Sequence, residues 1–161
     1  MLHAIVYHLY MLEPCVVLGK SEDAAFGALR DELLSHFVPG SDHYSAIVTA
    51  ANIQEIEIAL RSELEYLDEF PLPHILRHDI TAACVIIYQL RTQEHPWVVV
   101  DEDEPAAVAR LRAELAEALA PLRDPRCTRA LAVASVAQLR RERPFPLAFV
   151  DSFTCPVAET A

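Results

Sequence analysis

Apolar and polar positions alternate at the start of each half of the chain. In residues 3–11, Ile, Tyr and Leu at odd positions alternate with Ala, Val and His at even ones, and this period of two predicts a β-strand. Residues 83–91 repeat the pattern. A short β-branched run follows each stretch, at 15–18 and at 97–100, and predicts a second strand. Because a proline step precedes each run, we expect each pair of strands to form a hairpin.

The pattern then changes to a helical one in both halves. Ser21 and Asp103 are the expected N-caps, since their side chains can accept a hydrogen bond from a free N–H group of the first turn. Pro39 and Pro121 lie just beyond the two apolar stripes and are expected to end the helices. The positions that form these stripes are Ala25, Phe26, Leu29 and Leu33, and then Val108, Leu111, Leu115 and Leu119.

The later part of each half is predicted to differ. A third strand is expected at 44–50 in the first half and at 129–136 in the second. For the second half a helix that begins at the Asp–Pro step of 124–125 fits equally well, so 124–143 is either helix or strand. An additional acidic helix is predicted at 50–69, with Thr49 as N-cap. Its apolar side consists of Ile53, Ile56, Leu60, Leu64 and Leu67.

The two halves also resemble each other residue by residue. Between 14–34 and 96–116, ten of twenty-one aligned positions are identical, where this composition would give about two by chance. We therefore predict an α+β fold built from an internally duplicated β-hairpin–helix–strand unit, with repeats at 1–80 and 81–161. We expect two antiparallel sheets, or one merged sheet, with helices on one face. A pseudo-twofold axis between the repeats and packing as one globular unit are also expected. The alternative is two unrelated strand–helix units that share common helix residues.

Composition narrows the class of partner. A hydrophobic fraction of 53% is ample for a core, and the net charge of −11 disfavours nucleic acid and anionic membranes. No apolar run is long enough for a membrane span, and the N-terminus lacks the basic region of a signal peptide, so a cytoplasmic location is expected. Four widely spaced cysteines in apolar surroundings are expected to be buried thiols in a reducing compartment: Cys15, Cys84, Cys127 and Cys155.

The stretch PHILRHD contains the best candidate metal ligands, which are His74, His78 and Asp79. On a helix, histidines four residues apart share a face and can bind zinc or iron. The flanking residues also allow an extended segment, in which the two would be ordinary surface histidines near a turn. A third ligand would have to come from His36, Asp42 or His43.

Charge is unevenly distributed, and this favours protein binding. Residues 1–80 carry four basic and thirteen acidic side chains, whereas six arginines fall within 123–143. We predict a non-catalytic, acidic binding or regulatory module that uses no cofactor and acts on a protein partner or on another copy of itself, as inhibitors, antitoxins and assembly proteins do. The stretch CVVLGKSEDA is similar to a strand–turn–helix piece of HicB-type antitoxins. The expected contact residues are Glu55, Glu57, Glu63, Glu65, Arg140, Arg141 and Arg143.

Two other functions are ranked lower. A metal- or small-ligand-dependent enzyme would have its site between the repeats, near the two histidines and the aspartate of PHILRHD. Nucleic-acid binding through the arginines of 123–143 ranks last, because the overall charge is acidic and the stretch lacks interleaved aromatic residues and lysines.

Overall fold

The protein has an α+β fold in a computed structural model that describes residues 1–132 and 134–159. Over these residues six β-strands form, which are β1 (Leu2–Leu9), β2 (Cys15–Gly19), β3 (Leu64–Leu72), β4 (Ala82–Leu90), β5 (Trp97–Asp101) and β6 (Leu147–Ala158). The same residues form six α-helices, which are α1 (Glu22–Leu34), α2 (Asp42–Thr49), α3 (Ile53–Ala59), α4 (Glu104–Leu119), α5 (Thr128–Leu131) and α6 (Val136–Glu142). Two 3-10 turns, Ala120–Leu122 and Pro125–Cys127, lie between α4 and α5.

The chain divides into two compact units. Unit 1 contains residues 1–81 and the end of the chain from Pro156, and unit 2 contains residues 82–155. The strand order is β3-β1-β2-β6 in unit 1, where β6 contributes its last residues, and β6-β4-β5 in unit 2. In each unit, therefore, the first strand of the hairpin lies between its hairpin partner and a later strand. That later strand is β3 beside β1 in unit 1 and β6 beside β4 in unit 2.

Both predicted hairpins are confirmed. β1 and β2 pair antiparallel with Tyr7 opposite Cys15, and β4 and β5 pair antiparallel with Tyr88 opposite Trp97. β1 also pairs antiparallel with β3. The expectation of purely antiparallel pairing is wrong, because β2 and the end of β6 are parallel, with Leu18 opposite Val157.

A helix packs on one side of each hairpin, as the apolar stripes predict. The Ser21 side chain accepts a hydrogen bond from the Ala24 N–H at 3.1 Å, and the Asp103 side chain accepts one from the Ala106 N–H at 2.9 Å. Both predicted N-caps are thus confirmed. In unit 1 the buried core contains Ile5, Tyr7, Leu9, Val17, Leu29, Leu33, Ile47 and Ile56. In unit 2 it contains Ile86, Tyr88, Val99, Leu111, Leu115, Val136, Leu139 and Val150.

The strand predicted at 44–50 is wrong, because these residues belong to α2 and its C-cap. Ser41 caps this helix by accepting a hydrogen bond from the Tyr44 N–H at 3.2 Å. Ile47 is fully buried in the core of unit 1. Capping and the burial of one apolar side chain therefore outweigh the β-propensity of the run YSAIVTA.

The acidic helix predicted at 50–69 is also wrong in its extent. Asn52, not Thr49, caps α3, and the helix ends at Ala59, because the backbone of the C-cap Leu60 leaves the helical region. The chain then enters β3, which pairs with β1 along its whole length. The apolar positions of β3 fit a helix and a strand comparably well, and hydrogen bonding to β1 favours the strand. The predicted N-cap fails because its hydroxyl donates to the Ser45 carbonyl inside α2.

For 124–143 the helical alternative is closer to the structure than the strand. A 3-10 turn and α5 cover Pro125–Leu131, and α6 covers Val136–Glu142, while Val133 lies outside the described residues. Asp124 caps the first turn by accepting a hydrogen bond from the Arg126 N–H at 2.9 Å. The third strand of unit 2 is β6, which follows this helical region.

Candidate functional site

The candidate metal ligands lie on the segment between β3 and β4, which is not helical. His74 and His78 therefore do not share a helix face. Asp79 forms an ion pair with Arg77, at 3.2 Å from Oδ1 to Nε, and this hydrogen bond lowers the pKa of the carboxyl. Among the described residues no group of three or more histidine, cysteine or acidic side chains is placed to hold a metal ion. The metal site thus stays a prediction that this arrangement does not support.

The acidic residues expected to make protein contacts are divided between two elements of unit 1. Glu55 belongs to α3 and accepts a hydrogen bond from the Ala51 N–H at 2.7 Å, and Glu57 is exposed on the same helix. Glu63 precedes β3, and the Glu65 carboxylate on β3 lies 3.2 Å from Nδ1 of His8. These side chains therefore do not form one acidic helix face.

The arginines expected to make contacts lie in and just beyond α6 of unit 2. Arg140 pairs with Asp151 of β6. Arg141 and Arg143 are exposed, and Arg143 ends the helix with a left-handed backbone at φ 42°. Part of the positive charge of this stretch is therefore already balanced within unit 2.

A cavity of about 280 Å³ opens in unit 1 beside the first hairpin. It is lined by Tyr7, Leu9, Leu12, Glu13, Cys15 and His36. Five of these side chains come from β1, the hairpin turn and the start of β2, and His36 comes from just beyond α1. The volume is close to the lower end of the range of pockets that bind small molecules, about 300 Å³.

Two polar side chains on the cavity wall, Tyr7 and Cys15, are already hydrogen-bonded inside the protein. The Tyr7 hydroxyl, on a side chain that is 1% exposed, donates to Oε2 of Glu32 at 2.6 Å. The Cys15 thiol donates to the Glu13 carbonyl at 3.5 Å. Burial raises the pKa of both groups, and the nearby Glu32 raises it further. Both groups are therefore protonated at neutral pH, and neither is an activated nucleophile.

Unit 2 has the same tyrosine–glutamate pair but a different neighbour. The Tyr88 hydroxyl donates to Oε2 of Glu114 at 2.8 Å. Opposite Tyr88 lies Trp97, whose ring is 6.3 Å from the tyrosine ring in an edge-on arrangement. Cys15 is the residue at this position of the first hairpin. A small side chain thus leaves open space beside the tyrosine in unit 1, where unit 2 has an indole.

The turn of the first hairpin exposes three consecutive large apolar side chains, and we call them the hairpin tip. The exposed fractions are 62% for Tyr10, 83% for Met11 and 48% for Leu12. The Tyr10 N–H donates to the Glu63 carbonyl at 2.7 Å, and Met11 has a left-handed backbone at φ 67°. The tip is therefore held by the residue just before β3 and lies next to the cavity that Leu12 lines.

A second, more polar cavity of about 470 Å³ lies in unit 2, between the start of β4, the N-terminus of α4 and β6. Its acids are Glu102, Asp103 and Glu104 at the start of α4, and Asp103 has a structural role as the N-cap of that helix. The preceding Asp101, which does not line the cavity, pairs with Arg110 at 3.1 Å. Burial raises the pKa of the Cys84 thiol on its wall. Unit 1 therefore contains the better candidate site.

The two tyrosine–glutamate pairs predict a loss of stability in alkali. Burial holds the pKa of Tyr7 and Tyr88 above the ordinary value of 10.0. Their contribution to the free energy of unfolding is complete below that value. It is lost as the pH rises further, because the unfolded chain then releases protons that the folded chain keeps.

We expect the free energy of unfolding to fall between about pH 10 and 11, by up to about 1.4 kcal/mol per pH unit for each tyrosine. Urea unfolding across this range should show a shallower fall for the double variant Tyr7→Phe/Tyr88→Phe. Replacing the exposed Tyr10 by Phe is the control and should leave the slope unchanged. Equal slopes for the wild type and the double variant would contradict this assignment.

Sequence reasoning missed the cavity of unit 1, although two signals were present. The sequence predicts a buried thiol at Cys15, whereas in the structure this free thiol is only half-buried. Aligning the two halves places Cys15 over Trp97 and Tyr7 over Tyr88. Because the tyrosines match and the residues opposite them differ in size, the two hairpins pack differently at this position. The exposed tip gave a weaker signal, since an apolar turn looks like part of the strand before it.

Comparison with protein-family models, with curated proteins and with solved structures finds no match. Among the described residues, none of the helices has the length and apolar character needed to cross a membrane. The function is therefore argued from the side chains of the two units.

Proposed function

We propose that the protein is a non-catalytic binding module that acts through protein–protein contacts. The observation that carries this proposal is the hairpin tip. Monomeric soluble proteins rarely expose contiguous apolar surface without a use for it, and such surface commonly marks an interaction site. Tyrosine, methionine and leucine lose water favourably on contact, and aromatic and methionine residues are enriched at interfaces.

The backbone of the tip supports its use as a contact surface. Besides the bond from Tyr10 to Glu63, the Leu12 N–H donates to the Leu9 carbonyl at 3.1 Å. These bonds fix the turn relative to β1 and β3, so the entropy lost on binding is mainly that of three side chains. A preorganised surface binds with a smaller ordering penalty than a loose loop does.

Charge around the tip specifies the kind of protein partner. Glu13 follows the tip in sequence, and Glu63 and Glu65 begin the segment that holds it. Residues 1–80 carry thirteen acidic and four basic side chains. A partner with an apolar patch surrounded by lysines or arginines would match this surface in both shape and charge. In this proposal Glu63, just before β3, and Glu65, on β3, have the contact role expected from the sequence, although they do not lie on a helix.

The protonated Cys15 and Tyr7 favour binding over nucleophilic chemistry at this site. A nucleophile is usually activated by a lowered pKa or by an adjacent base, whereas burial raises the pKa of both groups. The alternative of a metal- or small-ligand-dependent enzyme near His74, His78 and Asp79 has no comparable observation behind it.

We also infer that units 1 and 2 arose by internal duplication. The support is a shared plan: a hairpin, a capped helix, shorter helices and a strand that pairs beside the first one. The tyrosine–glutamate pair recurs within this plan at 2.6 and 2.8 Å. The pseudo-twofold relation between the halves stays a prediction. In this scheme Trp97 fills the space beside the tyrosine in unit 2. The smaller Cys15 leaves a cavity in unit 1, and this cavity and the tip give unit 1 a function that unit 2 does not have.

Affinity capture tests the protein-binding proposal. The wild-type chain should retain a partner from a lysate of the source cells, and raising the salt to about 1 M should weaken retention, because exposed ion pairs are screened. A tip variant with Tyr10→Ser, Met11→Ser and Leu12→Ser should lose this partner. The matched control is Val48→Ser with Ile58→Ser, which are 48% and 67% exposed elsewhere in unit 1.

Self-association is the other outcome of the same design. If the partner is a second copy of the chain, sedimentation velocity should show a dimer for the wild type and the control and a monomer for the tip variant. A partner, or a dimer, that the tip variant retains and the control loses would place the contact surface elsewhere.

A further inference from the structure

The cavity of unit 1 has properties that the protein-contact proposal does not use. It lies beside the tip, yet its wall combines apolar side chains with hydrogen-bonding groups, an arrangement typical of small-molecule sites. Leu9 and the Tyr7 ring form part of the apolar wall, and both side chains are at least 95% buried. The other side of the cavity is open, because Glu13 and His36 are exposed.

The cavity wall offers a ligand more hydrogen-bond acceptors than donors. The Tyr7 and Cys15 protons are committed to Glu32 and to the Glu13 carbonyl. What these groups can still offer a ligand is their lone pairs. The Glu13 carboxylate adds an acceptor and a negative charge, and it forms no ion pair with any of the residues that the structure describes. The cavity therefore has free acceptors, which fit a molecule that brings donors.

The negative charge beside the cavity favours a donor group that is positively charged. Besides Glu13, the Glu32 carboxylate lies just behind the Tyr7 hydroxyl. A primary ammonium group has three donors and no acceptor, and its positive charge suits both carboxylates. His36 at the rim can accept at one ring nitrogen when the imidazole is neutral.

We propose that this cavity binds a compact, mainly apolar molecule that carries a primary amine. The apolar part would lie against Leu9, Leu12 and the Tyr7 ring. The ammonium group would lie toward Glu13 and the Tyr7 oxygen. Of the three tip residues this arrangement uses Leu12 alone, whereas Tyr10 and Met11 belong only to the protein-contact proposal.

Titration with 2-phenylethylamine tests the site, with 2-phenylethanol and phenylacetate as analogues of similar size. We expect the amine to shift the amide resonances of residues around the cavity, among them Tyr7, Glu13 and Cys15. Its affinity should exceed that of phenylacetate by roughly tenfold, because the carboxylates attract one ligand and repel the other. Equal or tighter binding of phenylacetate would overturn the proposal.

Two variants locate the binding. Cys15→Trp places in unit 1 the residue that faces the matching tyrosine in unit 2, and it should reduce amine affinity by at least roughly tenfold by filling the space. Glu13→Gln keeps the shape of an exposed side chain and should weaken the amine roughly threefold to tenfold while leaving 2-phenylethanol unchanged. If Cys15→Trp does not fold, Leu12→Trp fills the cavity from the turn. Unchanged amine affinity in both Glu13→Gln and the folded tryptophan variant would contradict the site.

Discussion

Replacing Leu29 with alanine is expected to lower the free energy of unfolding by about 2–5 kcal/mol, the range for large-to-small changes in a packed core. Leu29 lies in the middle of α1 and is fully buried against the first hairpin. Its removal leaves a cavity where α1 packs on β1 and β2. The surrounding strands are hydrogen-bonded on both sides and can collapse into that space only in part. Urea unfolding followed by circular dichroism at neutral pH measures the change.

Ile58→Ala is the matched control for this substitution. Ile58 also lies on a helix of unit 1, but it is 67% exposed, so its truncation should change the free energy of unfolding by no more than about 0.5 kcal/mol. Because the two units need not unfold together, the unfolding transition seen by circular dichroism is best compared with a second signal that reports on each unit separately. A loss below about 1 kcal/mol for Leu29→Ala would mean that α1 does not form the core of unit 1.

The second large effect is expected at Gly19, the last residue of β2. A Cβ atom added there would lie 2.1 Å from the Ala25 nitrogen and 2.6 Å from its Cα. Both atoms belong to the backbone of the first turn of α1, so no side-chain rotation relieves the contact. We expect Gly19→Ala to destabilise the protein by about 1–3 kcal/mol or more, as overpacking does.

Gly40→Asn separates this clash from the general effect of losing a glycine. Gly40 has a left-handed backbone at φ 89° and no atom within 4 Å of an added Cβ. Asparagine tolerates that conformation better than other residues, so the expected loss is below about 1 kcal/mol. Thermal unfolding of the two variants measures the difference. If Gly19→Ala melts at or above the temperature of Gly40→Asn, the tight approach of β2 to α1 is not what requires glycine.

The sequence predicts the hairpins and the capped helices because those signals are local. Alternation over 3–11 and the caps at Ser21 and Asp103 act within a few residues of the structures they determine. β3 is different, because its leucines fit helical spacing and its strand form depends on pairing with β1, far away in the chain. The same holds for α2, where burial of Ile47 overrides a β-prone run.

The candidate site was beyond sequence reasoning for a related reason. A cavity is a property of the space between side chains, and it depends on Cys15 being small next to a tyrosine that is already hydrogen-bonded to Glu32. The sequence contains the difference between Cys15 and Trp97 but not the distance of either residue from its tyrosine. Likewise, the tip is apolar in sequence, and only its exposure in the fold makes it a candidate contact surface.

Isothermal calorimetry with the captured partner, purified separately, tests the central claim most directly. The claim is that the tip of the first hairpin, surrounded by acidic residues, is the surface through which this protein acts. We predict saturable binding to the wild type and to the Val48→Ser/Ile58→Ser control, and at least roughly tenfold weaker binding to the tip variant. Equal affinity for the wild type and a folded tip variant would contradict the account.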